Sequence, residues 1–129
     1  MYHPLFWIEW LDRLDRVLGS ARQDVAVLKR AISPRGLEAI GRSKRQLAAL
    51  INDLRLLDRD VLAGSAKSGA ADALQSALEA TVAQLGSLAE IPAASAPGLL
   101  DRLLAASDAA LRDSCYEAAM LLEPNRRRA

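Results

Sequence analysis

The sequence predicts an all-α protein, an antiparallel four-helix bundle with a long N-terminal helical hairpin, and three observations carry that prediction. Ala and Leu supply 25 and 23 of the 129 residues, and both rank high in helix propensity. Val, Ile and Thr contribute only 5, 5 and 1, too few for a sheet protein. Apolar residues recur at three- and four-residue spacing in four segments separated by Pro- or Gly-containing breaks, as amphipathic helices sharing one core require. With 51% hydrophobic and 26% charged residues, the chain is too apolar for disorder. Its length is enough for one domain, residues 1–129, that buries a core without a staple. No uncharged apolar run approaches the ~20 residues of a membrane helix.

The first helix is expected over residues 4–32. Pro4, Leu11, Leu18, Val25 and Ile32 recur every seven residues, with Trp7, Leu14, Ala21 and Leu28 three positions on; this is a heptad seam sustained for four repeats. Glu9–Arg13 and Asp12–Arg16 are acid-before-base pairs one turn apart on its outer side. Ser33-Pro34 ends the helix, because proline disfavours helical geometry in the residue before it. Ser33 then caps a second helix whose first turn holds Pro34. That helix is expected over 34–63, with Leu37, Ile40, Leu47, Ile51, Leu54 and Val61 on its seam and Leu50 and Leu57 widening the stripe. Lys44 and Asp58 also fall on seam positions, where a long side chain snorkels outward or a polar group fixes register.

Gly64 to Gly69 reads as a flexible connector. The third helix is expected over 71–91, with Ala71, Leu74, Leu78, Leu85 and Leu88 on one face. Pro92 to Gly98 breaks the chain again. The fourth helix is expected over 99–123, with Leu100, Leu104, Leu111, Ala118 and Leu121 inward. Pro124 is expected to stop it and to leave residues 124–129 loose. The first pair of helices, being longer, is expected to project beyond the second pair.

Charge and reactive groups narrow the function. The formal net charge is +1, so no global field draws in nucleic acid or a membrane surface. Cys115 and His3 are the only residues of their types; an internal disulfide is impossible and the spacing motifs of a metal site are absent. No Gly-rich phosphate loop occurs. The carboxylates mostly stand beside Lys or Arg on outward positions, which is the pattern of a solvated face and not of an acid–base pair. No catalytic, cofactor-binding or metal-ligating residue is assigned, and no cofactor is expected. The first ten residues lack the charge pattern of a signal peptide, so a cytoplasmic location is expected.

Two features suggest contact with a partner. Phe6, Trp7 and Trp10, with Tyr2, place four of the five aromatics within ten residues; they either cap one end of the core or form a binding patch. Lys29, Arg30, Arg35, Arg42, Lys44 and Arg45 fall within residues 29–45 with Glu38 as the only acid. Gathered around the hairpin turn, they are either a solvated tip or a contact for an acidic partner or a phosphate backbone.

Pro4-Leu5 followed by Leu14-Asp15-Arg16 is faintly similar to the opening helix of helical chorismate mutases. The positions that should supply substrate-binding arginines are Ile8 and Val25, so that activity is not carried over. Val27-Leu28, Leu37-Glu38-Ala39-Ile40, Lys44-Arg45-Gln46-Leu47 and Arg59-Asp60-Val61-Leu62 resemble the first helical hairpin of flagellar type III export chaperones of the FlgN and FliT kind. The similarity spans about residues 20–63. It implies a small cytoplasmic chaperone that keeps a secreted helical subunit soluble, with the region around Leu100, Leu104, Leu111 and Leu121 gripping the partner's helix.

Three readings stay open at this point. The leading one is a non-enzymatic module that binds an amphipathic helix of another protein. A second is a small helical subunit of a nucleoprotein complex of the CRISPR type, touching backbone through residues 29–45. A third is a self-assembling structural protein, a homodimer joined through the Trp7 and Trp10 region.

Overall fold

The computed structural model describes residues 4–56, 69–92, 95 and 97–128. Four helices account for nearly all of them: α1 (Pro4–Arg30), α2 (Pro34–Leu56), α3 (Ala70–Ala89) and α4 (Pro97–Arg128). They form an up-down-up-down ring in which α1 packs on α2, α2 on α3, α3 on α4, and α4 closes back on α1. Side-chain neighbours give the directions. Asp24 of α1 meets Ser43 of α2, while Leu28 lies against Gly36, so the two chains run opposite ways. Lys44 lies over Gly86 and Gly41 is close to Ala89, which makes α2 and α3 antiparallel. On the closing seam Lys29 pairs with Asp108 and Arg22 lies near Cys115, again in antiparallel register.

The core is the sum of the heptad stripes. Leu11, Leu14, Leu18, Ala21, Val25 and Leu28 enter from α1, and Ile40, Leu47, Leu50, Ile51 and Leu54 from α2. Ala71, Leu74, Leu78, Leu85 and Leu88 enter from α3, and Leu104, Leu111, Ala118, Leu121 and Leu122 from α4. Burying one such aliphatic side chain contributes about 1.5–3 kcal/mol, so the stripes are what fixes the fold. Lys44, on a seam position of α2, is half-buried and lays its methylenes over Gly86, where the missing side chain leaves room for them.

Helix limits differ from the sequence expectation in physically readable ways. α1 stops at Arg30 and not at residue 32, because Ser33 caps α2 through its hydroxyl, which accepts from the Gly36 N–H at 3.0 Å. Ala31 and Ile32 are thereby spent on the turn. α3 ends at Ala89, two residues short of the expected Ile91, and starts after Gly69, whose φ of 83° suits glycine. α4 starts at Pro97 and runs through Pro124 to Arg128, so the expected stop at Pro124 and the loose tail are both corrected. Proline's fixed φ is itself helical; near a helix end it costs one backbone bond and does not force a break. At 32 residues α4 is longer than α1 at 27, the reverse of the expected order of lengths. Leu57, Asp58, Val61 and the connector up to Lys67-Ser68 lie outside the described residues.

The α3–α4 seam carries a buried polar layer that apolar patterning does not register. The Thr81 hydroxyl lies 2.9 Å from the carbonyls of Ala77 and Ala110 and 2.7 Å from Ser114 Oγ. Its one proton goes to a carbonyl, so it accepts from Ser114 and both hydroxyls are satisfied. Ser107, one turn before Leu111 on the same face, is fully buried and its hydroxyl has no partner among the described residues. Opposite outcomes follow for the two sites. Thr81→Val, which strands the Ser114 hydroxyl, should lower stability by about 1–2 kcal/mol. Ser107→Ala, which removes an unsatisfied group and favours the helix, should raise it by about 1 kcal/mol. Urea unfolding followed by circular dichroism separates the two; equal signs would contradict the assignment.

Candidate functional site

Both visible interhelical turns lie at one end of the bundle. At the first, Pro34 occupies the opening position of α2, where a missing N–H costs nothing, and Leu37 N–H donates to the Ser33 carbonyl at 3.0 Å. At the second, Glu90 N–H donates to Gly86 and Ile91 N–H to Leu88 as α3 winds down, and Ser95 N–H closes a turn onto Pro92. Pro97 then opens α4 as Pro34 opens α2. Between the turns lies a notch of about 420 Å³ with walls made by Ile32, Leu37, Ile91, Pro92, Pro97 and Leu100, and with Ser33, Pro34 and Ser95 at its edges. Ile32 is 50% exposed. Three prolines stand in the lining, each with its own φ fixed by the ring.

The residues singled out from sequence distribute unevenly. Trp10 is 2% exposed and belongs to the core; it is unavailable as an exposed patch. Phe6 and Trp7 stand in the first two turns of α1, and their side chains lie outside the described residues. Leu104, Leu111 and Leu121 are buried against the other helices, whereas Leu100 is half-buried and forms a wall of the notch. Of the four leucines, only Leu100 is therefore in place to touch a partner.

The six basic residues do not make one continuous face. Lys29 turns to α4 and pairs with Asp108. Lys44 lies along α3. Arg35, Arg42 and Arg45, exposed and three or seven positions apart, share the outer side of α2, while Arg30 is exposed at the end of α1. Sequence reading missed Ile91, Pro92 and Pro97 as site residues and placed Ile32 on a helix seam. The available signal was an isoleucine standing next to each proline break.

Among the described residues no group of three His, Cys, Asp or Glu side chains is placed to hold a metal ion, and no described helix is long and apolar enough to cross a membrane. Compared with protein-family models, with curated proteins and with solved structures, the chain matches none.

The one reactive side chain is Cys115, half-buried on the α1–α4 seam. Burial pushes its thiol above the ordinary range; the nearby Arg22 guanidinium pulls the other way, and Asp15 adds to the rise. A raised folded-state pKa means that the native protein holds this proton more tightly than the unfolded chain does. Its contribution to stability is present at neutral pH and is lost as pH climbs through the folded value. Alkylation by iodoacetamide at neutral pH should therefore be slower in the native protein than in the denatured chain, and Arg22→Ala should shift the rate profile to still higher pH. A native rate equal to the denatured one would contradict this environment.

Proposed function

We propose that this protein is a docking module, a binder and not an enzyme, that receives apolar side chains from an amphipathic helix of another protein in the notch between its two turns. The observation that carries this reading is the notch itself. An open, proline-framed apolar hollow with a half-exposed isoleucine at its mouth leaves hydrophobic surface unused by the fold. A partner helix offering residues at i, i+3 or i+4 fits such a hollow by inserting one or two anchors.

The resemblance of residues 20–63 to FlgN- and FliT-like export chaperones points the same way, toward a cytoplasmic protein that keeps a helical client soluble. The partner-facing role then falls to Leu37 and Leu100 and not to the leucines inside the core. The nucleoprotein reading ranks second, because the basic residues divide among separate directions instead of forming a track for a phosphate backbone.

A photocrosslinking amino acid at position 32 tests the proposal in cells of the source organism, with Ala49 on the outer side of α2 as the control position. Crosslinks at 32 and not at 49, mapping to an amphipathic helical segment, are expected. Ile32→Asp and Leu100→Asp should each weaken that partner's binding by about tenfold or more with the helical circular dichroism spectrum unchanged. Equal crosslinking at both positions, or binding indifferent to both substitutions, would refute the notch as the site.

A further inference from the structure

The notch combines apolar walls with two serine hydroxyls, and the combination selects the side chain it can hold. Three proline rings, Pro34, Pro92 and Pro97, stand in its lining, with Ser33 and Ser95 at the edge. Ser33 Oγ accepts from the Gly36 N–H, which leaves its own proton to donate. Ser95 is half-buried and its N–H is used in the turn onto Pro92, while its hydroxyl has no partner among the described residues. A hydroxyl both donates and accepts, so this edge can meet either kind of polar group. Size points the same way. A cavity of about 150 Å³ suffices to hold benzene, and the notch, at about 420 Å³, has room for a ring and its polar substituent.

We infer that the notch takes an aromatic side chain with a polar edge, tyrosine or tryptophan, as the anchor of the partner helix; this rests on the notch being the docking site. The hydroxyls decide against leucine, isoleucine or methionine. An aliphatic anchor would cover them and withdraw them from water with no bond in return, which costs the free energy of an unpaired polar group. A phenol or an indole buries its ring against the walls and brings its O–H or N–H to the edge. Phenylalanine supplies the ring alone and ranks between the two. Proline rings also pack on aromatic faces, as they do where Pro-rich segments meet aromatic grooves.

NMR of the methyl-labelled full chain, titrated with N-acetyl-tyrosinamide, N-acetyl-phenylalaninamide and N-acetyl-leucinamide, tests the inference. The tyrosine compound should bind most tightly, and its ring should move the methyl signals of Ile32 and Ile91 more than those of Leu78 in the core. The leucine compound should bind about tenfold more weakly. Ser95→Ala should lower the affinity for the tyrosine compound about fivefold and leave that for the phenylalanine compound unchanged, whereas general damage to the turn would weaken both. A leucine compound that binds at these methyls as tightly as the tyrosine one overturns the inference and leaves the notch standing as the docking site. A tyrosine compound no tighter than the phenylalanine one, or indifferent to Ser95→Ala, overturns it as well. So does the absence of any shift at Ile32 and Ile91 with all three compounds, and crosslinking at position 32 then decides the notch separately.

Discussion

Closure of the α1–α4 seam is the constraint on which the bundle depends. α1 has two neighbours in the ring, α2 and α4, and with both in place Leu11, Leu18 and Val25 are buried. The seam's ion pair, Lys29 with Asp108, sits at its partly exposed margin, where such contacts contribute little energy. Aliphatic burial therefore supplies the stability of the closed ring, and the marginal ion pair selects the register in which it closes. The hydroxyl layer of Thr81 and Ser114 does the same work on the α3–α4 seam from inside, where a mismatched register would strand both groups without partners.

The number of helices and most of the inward residues could be read directly from the order of the amino acids. The stripe Leu74, Leu78, Leu85 and Leu88 is buried as its spacing requires, and Lys44, on a seam position, is half-buried over Gly86. What escaped was of two kinds. Thr81, Ser107 and Ser114 occupy seam positions, yet a search for apolar periodicity passes over them, because hydroxyls in a core are legible only once their partners are known. The notch escaped because its walls come from two turns some sixty residues apart in the chain. Helical spacing tells which way one rod faces, and it is silent about what two loops build together. Pro124 shows the remaining limit: the same residue that ends one helix is accommodated in another when few backbone bonds remain to be lost.

The surface divides by location. The end formed by the two visible turns holds apolar walls beside Pro34, Pro92 and Pro97. The outer side of α4 exposes Tyr116 and Met120 among charged residues. The outer side of α2 is mostly polar, with Arg35, Arg42 and Arg45 standing in solvent.

The ring topology also sets the order in which the chain can assemble. Three of the four seams join helices that follow one another, so their closure fixes little chain and forms early, as in other folds dominated by local contacts. The remaining seam joins Lys29 to Asp108 and must close a loop spanning most of the molecule, at a correspondingly larger entropic cost. Kinetic barriers in this protein therefore concentrate where first and last helices meet. Weakening that meeting therefore acts on the folding rate and not only on unfolding.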